Sequence, residues 1–276
     1  MHQVSIPQHI VDRVRGVRGS DHIYADLDMS KVAHVCVDMQ VGFVAEGAPI
    51  EVPLTREITG TINTISRAVR AAGGVNVFTR YTYDLNEKHS WDHWFKTLGA
   101  TQIDAQAKMA PGMPDWEIDP TMEVLTGDII VDKTRFSALI PETCDMDAQL
   151  KARGVDTLII TGTLTNCCCE STARDALQMG YKVIFVSDAN ATLSDEEHLG
   201  TLISMYTIFA DLMDTSYLLE LIEKSSATQA AASQFRRLLT QPTAPASGLP
   251  TTRTHPLWLP GDRHERHRSR SIDRRH

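Results

Sequence analysis

Three consecutive cysteines, Cys167, Cys168 and Cys169, occur in the stretch TGTLTNCCCESTARDA (161–176), in a chain with five cysteines in total. Such a cluster could bind a metal ion, form a disulfide or present one reactive thiolate. Zinc sites usually pair cysteines about two to four residues apart, and no second cysteine pair lies at a matching distance. An odd number of cysteines, three of them adjacent, is also a poor disulfide framework. The pattern therefore favours one reactive thiol.

The cluster lies between a predicted strand, DTLIITGT (156–163), and a predicted helix, ESTARDALQMG (170–180). Backbone N–H groups at the start of a helix are unpaired and favour negative charge. A thiol at such a position has a lowered pKa and becomes a nucleophile more readily. The same N–H groups can bind an oxyanion. We therefore expect one cysteine of the three to be a nucleophile of lowered pKa.

Two other predicted strands end in residues that could assist a thiol. Asp38 ends the apolar strand in VCVDMQ, and Lys133 ends the strand in IIVDKT. Taken alone, the aspartate fits a turn residue and the lysine fits a surface charge. Because the carboxyl ends of parallel strands meet at one edge of a sheet, we expect both side chains to converge on the cysteine cluster.

Strands alternate with helices along the chain. The apolar periodicity predicts helices at 56–74, 146–154 and 170–180, and it predicts strands at 32–39, 75–83, 128–134, 156–163, 182–189 and 207–213. This alternation predicts an α/β fold with a mostly parallel, doubly wound sheet covered by helices on both faces.

Composition excludes several classes of protein. The net charge of −8 argues against a general nucleic-acid surface. The first residues lack the apolar core of a secretory signal, and no apolar run approaches the roughly 18 residues of a membrane helix. We expect no membrane partner and a cytoplasmic location in which thiols stay reduced.

The chain is predicted to have three parts: an N-terminal extension (1–29), a central α/β domain (30–224) and a C-terminal tail (225–276). The end of the tail is rich in Pro, Ser and Thr and then in Arg and His, and residues 236–276 hold nine arginines against three acidic residues. Such a composition cannot bury a core, so we expect a disordered basic tail. The alternative is a basic arm for an acidic partner.

Three segments resemble the isochorismatase-like cysteine hydrolases: VCVDMQVGF, IIVDKTRFSAL and TGTLTNCCCESTARDALQMGYKVIFVSDANAT. The resemblance covers roughly residues 30–222. It implies a three-layer α/β/α sandwich around a six-stranded parallel sheet. The family pattern T-N-x-C-x-E-S-T matches here with Cys168 as the nucleophile, which leaves Cys167 and Cys169 as packing residues.

The resemblance also implies the partners of the nucleophile. Asp38 and Lys133 would complete a catalytic triad with Cys168, and Asp38 would exchange protons with the thiol and the leaving amine. A cis peptide bond is expected between Thr163 and Leu164. The backbone N–H groups of Leu164 and Cys168 would then form an oxyanion hole. Together these groups would hydrolyse an amide through a thioester acyl-enzyme.

Two branches of the family fit less well. Isochorismatases lack a nucleophilic cysteine. Nicotinamidases bind a metal through D-x-H-x₃-H, whereas here Asp84 stands five residues before His89, although His89 and His93 keep the second spacing. We therefore expect no cofactor and no metal. The absence of G-x-G-x-x-G after the first strand also argues against a dinucleotide enzyme.

The substrate is expected to be a small amide, carbamoyl or ureido compound. The family's ureidoacrylate, biuret, carbamoylsarcosine and streptothricin hydrolases are the nearest comparisons, and the tryptophans after the second strand favour the ureido and carbamoyl group. The candidate substrate-binding residues are Phe43, Tyr81, Trp94 and Phe136. Alternatives are a larger amide or lactam such as streptothricin, a non-catalytic binding protein on the same fold, and an interaction protein acting through its tail. The resemblance also implies a homo-oligomer, a dimer or tetramer.

Overall fold

The computed structural model of the protein describes residues 1–84 and 91–240. Six strands form one sheet in the order β3-β2-β1-β4-β5-β6, and every neighbouring pair is parallel. The strands are β1 (Val32–Val37), β2 (Val75–Tyr81), β3 (Ile129–Lys133), β4 (Thr157–Thr163), β5 (Lys182–Ala191) and β6 (Asp211–Met213). The predicted α/β fold with a parallel sheet is confirmed.

Helices cover both faces of the sheet. They are α1 (Gln8–Arg18), α2 (Val41–Val44), α3 (Thr55–Ala71), α4 (Asp92–Phe95), α5 (Ala100–Ala107), α6 (Met146–Ala152), α7 (Glu170–Gln178), α8 (Asp195–Ser204) and α9 (Thr215–Thr240). One core cluster packs α3 and α9 against one face, and a second packs α6, α7 and α8 against the other. The result is the expected three-layer sandwich.

The central strands are apolar because they are buried on both faces. Every residue of β1 and β4 is buried, whereas the edge strand β3 alternates between buried and exposed positions. In α3, Ile58, Ile62, Ile65 and Val69 fall on one helical face and are all buried. These patterns place β1 and β4 in the middle of the sheet. Asp38 follows the end of β1, and the cysteine cluster follows the end of β4.

The sixth strand is shorter than the sequence predicted. Only Asp211–Met213 is extended, and Met205–Phe209 continues α8 as a π-helical turn. Met205 and Tyr206 are buried in this turn. A short apolar run fits a buried helix as well as a buried strand, so periodicity alone does not separate the two.

Both predicted terminal segments contribute to the packed structure. α9 continues through the predicted boundary at 224, and its residues Leu218, Leu221 and Ile222 lie in the core. Residues 225–240 are therefore helical, as their alanine-rich sequence allows, whereas residues 241–276 lie outside the described ranges. The extension before β1 contains α1. None of the helices in the described ranges is long and apolar enough to cross a membrane.

Candidate active site

Asp38 and Lys133 meet at the carboxyl edge of the sheet. Asp38 follows directly after β1, and Lys133 is the last residue of β3, with β2 between the two strands. The Lys133 Nζ lies 2.6 Å from the Asp38 Oδ2, and neither side chain has solvent-exposed surface. Asp38 has a φ of 50°, a left-handed conformation that aspartate tolerates better than most residues. The two strand ends therefore converge as the sequence predicted.

Neighbouring groups fix the orientation of this pair. The Thr79 hydroxyl donates to the Asp38 Oδ1 at 2.6 Å and accepts from the Asp38 N–H at 3.1 Å. The Lys133 Nζ donates to the Arg135 carbonyl oxygen at 3.0 Å. Within the described residues, the Lys133 ammonium group is the one partner of the Asp38 Oδ2. This oxygen can therefore still accept a proton.

The electrostatics keep Lys133 charged. Burial by itself lowers the pKa of Lys133, because it removes the ammonium group from water. The adjacent Asp38 carboxylate outweighs that effect and raises the pKa of Lys133 above its usual value. Lys133 is thus a permanent cation beside the candidate nucleophile.

The nucleophile turn, which we define as residues 163–169, follows β4. The peptide bond between Thr163 and Leu164 is cis, as the resemblance implied. The Leu164 carbonyl accepts hydrogen bonds from the N–H groups of Cys167 and Cys169, at 3.1 and 3.2 Å. The turn is π-helical over Thr165–Cys169 and leads directly into α7. It places the three cysteines at the start of a helix.

A glycine lets β4 approach β1 closely beside the site. Gly162 has a φ of 117°, and a Cβ atom built on it would lie 2.1 Å from the Val37 carbonyl oxygen. Only glycine fits both the backbone conformation and this distance. Val37 directly precedes Asp38, so the close approach sets the position of the carboxylate relative to the nucleophile turn.

The three cysteines have different surroundings. Cys169 is fully buried in the core, as expected of a packing residue. Cys168 is 3% exposed and lines a cavity. Cys167 is half-buried and lines the same cavity, so it is more than a packing residue.

The expectation that the helix start lowers the pKa of the nucleophile is not met. A hydrogen bond with Cys167 and then burial raise the pKa of Cys168, and Lys133 opposes them only in part. The same hydrogen bond lowers the pKa of Cys167. Cys168 is therefore a thiol at rest, and it needs a base to become a nucleophile.

The cavity beside Cys168 has a volume of about 330 Å³. The four predicted substrate-binding residues, Phe43, Tyr81, Trp94 and Phe136, all line it, as does Leu164. The rings of Trp94 and Phe136 meet edge to face, with centroids 5.2 Å apart. A larger cavity of about 520 Å³ next to α9 has no cysteine or lysine in its lining. The smaller cavity is thus the one that joins a nucleophile to an aromatic wall.

Few polar groups face this cavity. Glu51 is already bound by the Arg56 guanidinium, at 2.7 Å, and by the Gly47 N–H, at 2.9 Å. Gln106 and Asn166 contribute neutral amides. The indole Nε1 of Trp94 is buried without a hydrogen-bond partner in the part of the chain that the structure describes.

Sequence reasoning missed two buried polar residues that hold the site together. Thr79 anchors Asp38, as described above. The Gln40 amide donates to the Tyr81 and Trp116 carbonyls and accepts from the Tyr81 N–H, so it ties the end of β1 to the end of β2. The available signal was a polar side chain within or directly after a buried apolar strand, since such groups are buried only with partners.

The nicotinamidase-like metal motif is not assembled in the described ranges. His93 is exposed on α4, and His89 lies outside the described residues. Among residues 1–84 and 91–240, no group of three or more His, Cys, Asp or Glu side chains could hold a metal ion.

Comparisons with known proteins agree with the fold. The Isochorismatase domain model matches residues 32–216. The uncharacterized isochorismatase family protein YwoC of Bacillus subtilis is 35% identical over 180 residues, which is 64% of this chain and 86% of that protein. The ureidoacrylate amidohydrolase RutB of Variovorax paradoxus is 31% identical over 182 residues, 60% of this chain and 71% of the relative.

A solved structure is also similar throughout the matched region. The cysteine hydrolase from Pseudomonas syringae pv. phaseolicola aligns with a TM-score of 0.66 and 28% identity, covering 74% of this chain and 97% of that chain. The matched residues include the parallel sheet, the Asp38–Lys133 pair and the nucleophile turn. The chain belongs to the isochorismatase domain family.

Proposed function

We propose that the protein is a cysteine amidohydrolase that cleaves a C–N bond of a small amide, carbamoyl or ureido compound. One observation carries the proposal. A buried thiol, Cys168, lines an aromatic cavity, and the Asp38–Lys133 ion pair lies close enough to act on its pKa. An ionised carboxylate, a fixed cation and a thiol are the groups that thioester chemistry at a carbonyl requires.

Acylation begins with proton transfer. Because the pKa of Cys168 is raised, the thiol needs a base. We assign that role to Asp38, whose Oδ2 faces only the Lys133 ammonium group among the described residues. The thiolate attacks the substrate carbonyl carbon and forms a tetrahedral oxyanion, which the N–H groups of Leu164 and Cys168 stabilise. Each such donor contributes roughly 2.7–4 kcal/mol in comparable sites. The C–N bond then breaks as Asp38 returns its proton to the leaving nitrogen.

Deacylation uses the same carboxylate. Asp38 takes a proton from a water molecule, which attacks the thioester carbon. The C–S bond breaks, the acid leaves, and Asp38 returns the proton to the Cys168 sulfur. Lys133 holds the Asp38 carboxylate in place and adds positive charge beside the sulfur. No step in this scheme uses a metal, so activity is expected to survive dialysis against a strong chelator.

The cavity supports a small substrate with a neutral body. Its volume is near the lower end of the range for ligand sites. Glu51 is the one charged residue in the described lining, and Arg56 is already paired with it. The described lining therefore offers no cation to bind a substrate carboxylate. We therefore infer a neutral amide or ureide.

An ammonia-release screen tests this function. Wild-type protein should hydrolyse neutral amides and ureides faster than carboxylate-bearing analogues of the same size, and Cys168→Ser should lower the rate by several orders of magnitude. Cys167→Ala and Cys169→Ala are the matched controls and should keep most of the activity. If Cys167→Ala were as inactive as Cys168→Ser, the assignment of Cys168 as the nucleophile would be wrong. Ligand binding without hydrolysis by the wild type would instead indicate a binding protein.

A further inference from the structure

The first residues of the chain lie outside the matched domain but reach the nucleophile turn. The His2 side chain is 3% exposed. Its Nδ1 lies 2.7 Å from the Asp195 Oδ1, and its Nε2 accepts the Thr192 N–H at 3.1 Å. Because a backbone N–H only donates, His2 carries its proton on Nδ1, and that proton goes to the carboxylate. Both ring nitrogens are thus engaged at the end of β5 and the start of α8.

Thr192 continues this chain of contacts to the site. Its hydroxyl donates to the Asn166 Oδ1 at 2.7 Å. Asn166 precedes Cys168 by two residues and lines the same cavity. Since its oxygen is engaged by Thr192, the amide NH₂ is the end left for a group in the cavity. One backbone hydrogen bond and one side-chain hydrogen bond therefore connect His2 to the nucleophile turn.

A second path reaches the same turn through His198 on α8. The rings of His2 and His198 stack with centroids 4.1 Å apart and planes 12° apart. The His198 Nε2 lies 3.0 Å from the Ser187 carbonyl, which only accepts, so Nε2 carries the proton. The His198 Nδ1 then accepts the Thr165 hydroxyl, at 3.0 Å. Burial lowers the pKa of His198 to about 4, consistent with a neutral acceptor.

We propose that His2 is a positioning residue for the nucleophile turn, acting through Thr192 on Asn166 and through His198 on Thr165. It touches neither substrate nor the reacting atoms. The competing account is simple packing, since Val4 and Ile6 of the same segment lie against the second core cluster. The kinetic part of the inference rests on the proposed amidohydrolase function, whereas the geometric part does not.

Three variants separate positioning from packing. His2→Ala removes both contacts, and His2→Gln restores an acceptor near the place of Nε2. Thr192→Val keeps the N–H and the branched shape but removes the hydroxyl. With the best substrate of the screen, His2→Ala and Thr192→Val should each lower kcat about tenfold with KM within about twofold, and His2→Gln should recover most of the loss. The His2→Ala/Thr192→Val double variant should be no slower than His2→Ala, because the Thr192 hydroxyl lies on a path that His2→Ala already interrupts.

Hydrogen–deuterium exchange supplies a readout that needs no substrate. Peptides covering residues 163–169 should exchange faster in His2→Ala and return towards wild-type rates in His2→Gln. Val4→Ala is the packing control and should lower the melting temperature without changing exchange in the turn. If the wild type hydrolyses nothing in the screen while the exchange pattern holds, the proposed function fails and the positioning role stands.

The proposal is overturned by any of three results. If His2→Ala left kcat and the hydrogen–deuterium exchange of residues 163–169 unchanged, the N-terminal segment would contribute packing alone. Additive losses in the double variant would mean that His2 and Thr192 act separately. A His2→Gln variant as slow as His2→Ala would show that the acceptor for the Thr192 N–H is not what matters.

Discussion

At the scale of single residues, Lys133 and Asp38 depend on each other because both charges are fully buried. Breaking a buried ion pair by removing one partner typically costs about 3–5 kcal/mol, whereas replacing both partners by neutral groups can be nearly neutral. The stability of this pair and its proposed catalytic role can therefore be measured separately.

Lys133→Met should lower the free energy of unfolding by about 3–5 kcal/mol, because it leaves the Asp38 carboxylate buried and unpaired. It should also lower kcat/KM and slow alkylation of Cys168 by iodoacetamide at neutral pH, because Lys133 is the group that lowers the pKa of that thiol. Urea unfolding, steady-state kinetics and mass spectrometry of the alkylated protein measure the three effects.

The matched control is the Asp38→Asn/Lys133→Met double variant. It should recover much of the lost stability and none of the activity. Normal kcat/KM and normal alkylation in Lys133→Met, with or without a loss of stability, would remove the lysine from the mechanism.

The candidate triad could be read from the sequence, whereas the state of its thiol could not. Asp38 and Lys133 end apolar strands, and the motif around Cys168 has a fixed spacing, so pattern and resemblance sufficed. The raised pKa of Cys168 depends on a hydrogen bond with Cys167 and on burial beneath an aromatic wall. Both come from the folded conformation of the turn, which residue types do not encode singly. The same holds for His2, whose contacts lie about 190 positions away along the chain.

At the scale of secondary-structure elements, the ends of β1 and β4 approach each other more closely than side chains would allow. Gly162→Ala would place a methyl group against the Val37 carbonyl and force an unfavourable φ. We expect it to destabilise the fold by about 1–3 kcal/mol and to lower kcat more than KM, because Asp38 follows Val37 directly. Thermal melting and kinetics measure the two effects.

Gly60→Ala is a suitable control, since its Cβ would meet nothing within 4 Å. It should keep normal activity. A Gly162→Ala variant with the stability and kcat of the wild type would mean that the strand ends tolerate separation, and that this close approach does not position the carboxylate.

His34 makes the sheet sensitive to acid. It is fully buried on β1 and bonds Thr161 on β4 at 2.8 Å and Asn76 on β2 at 3.3 Å. Burial lowers its pKa from 6.5 to about 4. As the pH falls, His34 therefore becomes protonated below about pH 6.5 in the unfolded chain, but only below about pH 4 in the folded chain. Its contribution to the free energy of unfolding is fully present above pH 6.5, decreases as the pH falls towards 4, and does not decrease further below pH 4.

The expected loss across this window is about 3 kcal/mol. His34→Gln should be less stable than the wild type at pH 7, because it disturbs buried hydrogen bonds, but it should lose less stability between pH 7 and pH 4. Urea unfolding at a series of pH values measures both slopes. Equal pH slopes of the free energy of unfolding in the wild type and His34→Gln would show that His34 binds a proton as readily in the folded protein as in the unfolded chain.

Element types were more predictable than element ends. β1 to β5 were predicted within about two residues because each is a buried apolar run bounded by turns. The prediction for β6 was wrong in its first half, because residues 207–209 belong to a π-helical turn and a short apolar run fits such a turn as well as a strand. The tail boundary failed for a related reason: the residues after Ile222 are good helix formers, and composition turns unfavourable only after the helix.

At the scale of the whole molecule, α9 divides the C-terminal region into a part that packs and a part whose composition offers little to bury. Truncation after Thr240 should change the melting temperature by no more than a few degrees. Truncation after Asp214 should prevent folding or lower the melting temperature strongly, because it removes Leu218, Leu221 and Ile222 from the core. A large effect of the first truncation would mean that the basic segment packs on the domain or on another subunit.

The strand order also governs how the chain is assembled during its synthesis. β1 leaves the ribosome early, and β2 and β3 can pair on one side of it, but its other neighbour is β4, whose Thr157 aligns with Val32. At about 5–20 residues per second, translation leaves this apolar edge of β1 without its native partner for roughly ten seconds. An unpaired strand edge is a template for aggregation, so the nascent chain is most in need of chaperones while residues 38–163 are being made. β1, the strand that positions Asp38 in the folded protein, is thus the strand most exposed to incorrect pairing during synthesis.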